Sequence, residues 1–454
     1  MTKAKTIIWI FLFSILMLLT MGIGIFALSS SELSSNAGVY YTATNPVISK
    51  EKFQSAFLDF QDDSDGGITS IIFDYYDPDT AAFYSPDGGE TKIDFRTINE
   101  SCKRDVSEVS DGSIIAYFYE NGMYVISKET ITFPKNCSSF FNTLPPQEGR
   151  PLHNTDAGKN DLHTVKKLLF KNVDTSKVES MYGMFFKMDQ LEELDISKFD
   201  TPSVKNIAAM FLRCESLKEI DISHFDTSKV TESFHLLRFC KSLTYANLSG
   251  LDFSSVGVDG ISCMFFECRA LITANLTGIK TGNIKKFAAM FVNCENLTSI
   301  IGLNGLDTSS ATNMSAMFHG CRAFTSLDLR NFNTARVTDM HQMFLNCRSL
   351  KTLDISTWNT SMLKKTAYMF SGCVALDTIY IGREWSTKNV TKEKFTTVSF
   401  GEVEGDHSMF GSCISIPTWN ENKVGGVAVI DSTYAYAGYS STTKKYGYLT
   451  LKTN

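Results

Sequence analysis

The chain has 454 residues, 43% hydrophobic and 20% charged, with a formal net charge of −6. That balance excludes wholesale disorder, and the acidic surplus excludes a nucleic-acid binder, because phosphate backbones are held by clustered Lys and Arg. The length suits two or three ordinary domains or one long repeat array with caps, and the chain itself selects the array.

At the start, Lys3 and Lys5 precede a low-polarity run from Ile7 to Leu28, followed by Ser29-Ser30-Ser31. This pattern predicts a targeting segment over 1–30 that exports the rest of the chain. The run is 22 residues long, enough to span a bilayer, whereas a signal-peptide core is usually ~7–15 residues. It serves either as a signal peptide cut near Ala27-Leu28-Ser29 or as an uncleaved membrane anchor. Either way the remainder is placed outside the cell.

Residues 31–128 read as a small β-rich N-terminal domain. Asp62-Asp63-Ser64-Asp65-Gly66-Gly67 and Asp77-Pro78-Asp79 are turn clusters between short β-prone runs. The first of these lacks the alternating spacing and distal Glu of a calcium loop and is read as a turn. Glu120-Asn121-Gly122 between Ile114–Tyr119 and Met123–Ile126 predicts a hairpin, because Asn and Gly tolerate the positive φ of a tight primed turn.

From Leu168 to Cys413 one phrase recurs. Cys214, Cys240, Cys268, Cys294, Cys321, Cys347 and Cys373 follow one another at intervals of 26, 28, 26, 27, 26 and 26, with Met188 in the same place 26 residues before the first. A period in this range predicts stacked supersecondary units, since no single unit can cover its own apolar face. In each copy, alternation as in Leu350-x-x-Leu353-x-Ile355 predicts a short strand. Asp174-Thr175-Ser176, Asp226-Thr227-Ser228, Asp307-Thr308-Ser309 and Asn359-Thr360-Ser361 predict a turn held by side-chain oxygens. Val204, Ile207, Met210, Phe211, Cys214 and Leu217 then fall close to a helical stripe. The predicted fold is an α/β solenoid of the leucine-rich-repeat type over 129–415, with one short strand and one short helix per repeat and a β cap over 416–454.

Met-Phe-x-x-Cys is expected to form the internal spine, from Met184-Phe185 to Met409-Phe410, with its cysteines as small buried hydrophobes. Cys263 and Cys268 alone do not make a metal site, and no metal or cofactor is expected. A disulfide ladder between coils is the competing reading of the spine.

The strings Leu-Asp-Ile-Ser-x-Phe-Asp-Thr-Ser-x-Val and Met-Phe-x-x-Cys-x-x-Leu resemble the repeat of BspA-like leucine-rich-repeat surface proteins, the type first noted in mycoplasma surface lipoproteins and common in host-associated bacteria. The likeness covers about 240 residues. It extends to the half-copy Ile131–Phe141 and to the closing Gly447-Tyr448-Leu449-Thr450. It implies surface display and attachment to host or partner proteins, with no shared catalytic residue. No lipoprotein cysteine follows the hydrophobic run, the first cysteine being Cys102, so the mode of attachment is open.

The seven histidines are scattered and no catalytic motif is present, so no enzyme activity is expected. Stacked strands would instead expose a strip of outward residues: Glu193, Asp195, Glu219, Asp221, Tyr245, Asn247, Thr273, Asn275, Asp328 and Arg330. At ~4.8 Å per strand the strip would suit an extracellular protein or glycan, such as a matrix protein or a mucin-like chain, rather than a small molecule. Its early end is acidic, which favours a basic or amide-rich partner. Two irregular copies, around Ser254-Ser255-Val256-Gly257 and at the insert from Thr391 to His407, are expected to emerge as loops, either as cap structure or for binding. The reading is an adhesin-like scaffold, and the alternative is an envelope spacer without a specific ligand.

Overall fold

The computed structural model describes residues 45–62, 67–87, 89–142, 161–391, 394–397, 401–404 and 408–413, and five short strands between 423 and 451. The hydrophobic run 7–28, residues 143–160 and residues 63–66 of the Asp-rich stretch lie outside these. No helix among the described residues is long and apolar enough to cross a membrane.

The N-terminal region, read as β-rich, also contains a helix. Helix α1 (Lys50–Asp62) places Phe53, Ala56, Phe57 and Phe60 on one buried face at the i, i+3, i+4, i+7 spacing of an amphipathic helix. Ser49 caps it, its Oγ accepting from the Lys52 N–H at 3.3 Å. Strands β1 (Ser70–Tyr75), β2 (Lys103–Asp105), β3 (Ile115–Tyr119) and β4 (Gly122–Ser127) follow. The β3–β4 hairpin forms one residue earlier than expected: Tyr119 pairs with Gly122, and Glu120 takes the positive φ of 52°. Gly122 is needed for space, because a Cβ there would meet the Tyr124 ring at 2.8 Å.

The half-copy joins the array as expected. Strand β5 (Ile131–Thr132) pairs in parallel with β7 (Val173–Asp174), and the Cys137 N–H donates to Ser180 O at 2.8 Å. Strand β1 also pairs in parallel with β6 (Lys167–Phe170), which pairs with β8 (Glu193–Asp195), so the N-terminal strands and the first coil share one sheet. Next come β9 (Glu219–Asp221), β10 (Tyr245–Asn247), β11 (Thr273–Asn275) and β12 (Ser299–Ile301), paired in parallel from one copy to the next. A third sheet holds β13 (Ser326–Asp328), β14 (Thr352–Ile355) and β15 (Thr378–Ile381). The insert after Val390 forms the hairpin of β16 (Lys394–Thr397) and β17 (Gly401–Glu404). Beyond it, β18 (Lys423–Val424) pairs with β19 (Val427–Ala428), and β20 (Tyr439–Ser440) with β21 (Lys445–Tyr446). The last strand, β22 (Thr450–Leu451), returns to lie in parallel along β15.

The second half of each copy is not a helix. It is a run of β-turns in which alternate N–H groups serve different partners. Met184, Phe186 and Met188 donate to the carbonyls three residues back, at 3.1, 3.0 and 3.3 Å. Met181, Gly183, Phe185 and Lys187 donate to Asn206, Ala208, Met210 and Leu212 of the following copy, at 2.8, 3.0, 2.9 and 2.9 Å. Two residues per copy, four apart, hold a positive φ at the third position of a turn, as type II turns require: Gly183 and Lys187, Ala209 and Arg213, Ala289 and Asn293, Ala316 and Gly320, Tyr368 and Gly372. Inward positions therefore fall at 0, 3, 4 and 7, the same spacing as a helical stripe. The pattern could not separate the two structures.

Inside, the Phe of the spine stacks on its neighbour from Phe141 through Phe185 to Phe211, and again from Phe265 to Phe410. Ring centroids are 5.2 to 5.9 Å apart and planes are inclined by 3 to 18°. Leu237 replaces Phe in the third copy and interrupts the column. Burial of each Phe contributes about 2–3 kcal/mol, and aromatic pairing adds about 1 kcal/mol.

All eleven cysteines are free thiols, so the disulfide ladder is not formed. Each spine thiol donates to the carbonyl of the spine residue one copy back, as in Cys294 to Phe265 at 3.1 Å and Cys373 to Phe344 at 3.0 Å, and from Cys214 through Cys413 the S···O distances run from 2.9 to 3.2 Å. Burial pushes these thiols well above their ordinary range and keeps the proton needed for donation.

The Asp-Thr-Ser turn divides its work. Asp226, Asp307 and Asn359 accept from the N–H two residues on, at 3.0, 2.9 and 2.9 Å. The buried Thr then ties copies together: Thr308 Oγ1 donates to Asn333 O at 3.1 Å and accepts from Asn333 N at 2.8 Å.

Thr308→Val leaves two partly buried backbone groups of Asn333 without their partner and is expected to cost about 1–2 kcal/mol in a denaturant melt, with Thr308→Ser recovering most of it. Ala316→Gly, at a φ of 53°, is expected to raise stability by about 0.5–1 kcal/mol. Gly372→Ala is expected to lower it by about 1–2 kcal/mol, because φ there is 75° and a Cβ would collide with Asn346 Oδ1.

Candidate functional site

The outward positions of β8 to β13 carry all the predicted binding residues except Arg330, which lies two residues past β13. Within each three-residue strand the middle side chain points inward and the flanking two outward. Glu193, Asp195, Glu219, Asp221, Asp328 and Arg330 are exposed, and Tyr245, Asn247, Thr273 and Asn275 are half-buried.

Register brings six of the ten together. Glu219, Tyr245 and Thr273 form one row, and Asp221, Asn247 and Asn275 the next. In the second row, Asn247 Nδ2 donates to Asp221 Oδ2 at 2.9 Å and Asn275 Nδ2 to Asn247 Oδ1 at 3.0 Å. Each member also accepts from the N–H two residues on, so these residues shape the turn after the strand as well as facing solvent. Burial opposes ionisation of Asp221, yet hydrogen bonds from Ser223 and Asn247 hold its carboxyl below the usual range. Glu193 is ion-paired with Lys167 at 2.9 Å, and Asp328 is held by Arg330 through two contacts of 2.9 and 2.7 Å.

The strip is divided among three sheets, with breaks between β8 and β9 and between β12 and β13. The first break is a hollow of ≈ 610 Å³, lined by Asp195, Ser197, Glu219, Asp221, His224 and Tyr245 among others. His224 spans it, its Nε2 lying 3.1 Å from Ile196 O. His224 has no motif around it, and only the opening of the ladder gives it a place in the site. The two extra residues of the fourth copy make a second hollow of ≈ 400 Å³, lined by 231–234 and 256–260. Gly260, in its lining, holds a φ of 57°, where any Cβ would collide with Lys286 O.

The first hollow is lined by carboxylates, hydroxyls and one phenol, so hydrogen-bond acceptors predominate on its walls. Among the described residues no three His, Cys, Asp or Glu are placed to hold a metal ion.

The stacked repeat is that of the BspA-like leucine-rich-repeat class. The chain belongs to the family described as "Mycoplasma protein of unknown function, DUF285", which it matches over 158–271, 259–382 and 285–410, more than half of its length. No curated protein matches it. Among solved structures it is similar to a leucine-rich cell surface protein of Faecalibacterium prausnitzii, at 14% identity over 58% of this chain and 85% of that one, with a TM-score of 0.22. A leucine-rich repeat protein of Eubacterium ventriosum is similar at 14% identity over 71% and 98%, with a TM-score of 0.26. The Toll–Spatzle complex of Drosophila is similar at 16% identity over 56% of this chain and 36% of that one, with a TM-score of 0.23.

On the turn side, burial is the largest influence on His319, with Arg322 and His341 adding to it and Glu267 opposing, and its imidazole is lowered to about 4. The unfolded chain takes up this proton first, near pH 6.5. The stability due to neutral His319 is therefore complete above about pH 6.5 and is lost as pH falls toward about 4, amounting to about 2 kcal/mol for a partly exposed ring. Urea melts across that interval are expected to show the loss, and His319→Gln is expected to flatten it.

Proposed function

We propose that the chain is an exported, surface-displayed solenoid that binds an extracellular protein or glycan along its strand face, acting as an adhesin-like, non-catalytic scaffold. The observation that carries this reading is the hollow between β8 and β9, where exposed Asp195, Glu219 and Asp221 meet His224 and Tyr245 on a rigid stacked frame. Family membership supports the scaffold role, and the lysine-flanked run 7–28 supports export. The partner presents basic or amide groups, because the early strip offers mainly acceptors. An area spread over several coils favours many modest contacts with a macromolecule.

The test is saturable binding of the full chain, in neutral detergent, to immobilised matrix proteins and mucin glycans. The comparison is a fourfold variant: Glu193→Gln, Asp195→Asn, Glu219→Gln and Asp221→Asn. Asn keeps the turn acceptor, as native Asn247 and Asn275 do at the same place, so charge is removed without removing the turn. At least one partner is expected to bind and to be weakened about tenfold or more in the variant. Equal binding by both proteins moves the site away from this hollow. Binding to none of the panel sinks the adhesin reading in favour of an envelope spacer.

A further inference from the structure

The turn side of the second to fourth copies carries side chains that the strand-face reading does not use. The Arg213 guanidinium lies over the Phe239 ring at 4.7 Å, Arg238 over the same ring at 4.9 Å and over Phe266 at 4.3 Å. Cations and rings thus alternate along three successive coils. One coil earlier, Lys187 lies over Phe186 at 5.6 Å. Phe186, Ala209 and Leu212, with Tyr182 and Phe239 against them, form a small apolar cluster separate from the main core.

The charge here is not balanced. Glu215 meets Arg213 at 3.4 Å but also Lys241 at 2.7 Å, so one carboxylate serves two cations. Arg238 has no carboxylate within ion-pair distance among the described residues. Its Nη1 bonds only to His235 Nδ1, at 3.0 Å, and its buried Nε has no partner. A half-buried guanidinium with an unpaired donor is unfavourable in isolation, and a carboxylate accepting two parallel N–H bonds would satisfy it.

We propose that this Arg213–Phe239–Arg238–Phe266 stack is a docking surface for an acidic polypeptide segment, whose carboxylates pair with the two guanidinium edges while its apolar side chains cover the rings' exposed rims. A polypeptide fits better than a glycan, because the Phe239 ring that a sugar would stack on is already covered by guanidinium groups on its faces. The surface lies on the turn ladder, away from the strand-face hollow, so it stands or falls separately from the proposed adhesin site.

The test uses the full chain in neutral detergent and fluorescence polarisation of a short labelled peptide of alternating Glu and Leu, against a Gln–Leu control. Saturable binding of the Glu peptide alone is expected, weakened about tenfold in Arg213→Gln and in Arg238→Gln. The fourfold strand-face variant is expected to bind the peptide normally. A thermal melt reports whether each Arg variant is folded, and if Arg238→Gln is not, Arg213→Gln carries the comparison. Absence of saturable binding, equal binding by a folded Arg variant, or equal binding of the Gln peptide would overturn the proposal. Binding of a sulfated polysaccharide without the peptide would overturn it too and point to an anionic glycan.

Discussion

The structure depends on satisfying the backbone of each copy with the backbone of the next. In the turn half, every second N–H is used to fold its own coil and the others reach across to the neighbouring coil. A buried backbone group left without a partner is costly, so each coil is stable only when another lies against it. The recurring polar residues serve the same need. Thr308 and its counterparts join coils at the strand-side corner, and the spine thiols supply donors to carbonyls inside. The Phe column and the Met and Cys beside it then fill a space that the hydrogen-bond spacing has already set.

This constraint explains where irregularity is allowed. The two extra residues of the fourth copy swell outward beside 256–260, and the residues after Val390 leave as a hairpin, while Phe410 still stacks on Phe370 at 5.5 Å as if nothing intervened. It also explains the cysteines. A disulfide would take both thiols of a pair away from the carbonyls they serve, whereas buried protonated thiols are poor nucleophiles and resist oxidation.

Because the interior is committed to holding the coils together, the outward rows are where side chains meet solvent, and the two sides differ in chemistry. The strand side presents carboxylates, amides and hydroxyls, opened by the break between β8 and β9. The turn side presents rings covered by cations. The two proposed surfaces therefore differ in charge, acidic on the strand side and basic on the turn side.

The sequence by itself determined the period, the strand in each copy, the outward alternation, the Met-Phe-x-x-Cys spine and the Asx turns, because each is a short-range pattern repeated many times. It did not separate a helix from tandem β-turns, since both place apolar residues at 0, 3, 4 and 7. The glycines and asparagines at Gly183, Asn293, Gly320, Asn346 and Gly372 were the available sign of a positive φ, but in a single copy they resemble ordinary turn residues. Helix α1 was legible in Phe53, Ala56, Phe57 and Phe60, although the turn clusters around it drew the reading toward strands. Only the tertiary structure decided that the strip breaks between β8 and β9, that His224 spans the gap, and that Arg213 and Arg238 share the Phe239 ring. Those relations join residues from different coils, and their distances depend on how the coils stack rather than on any local pattern.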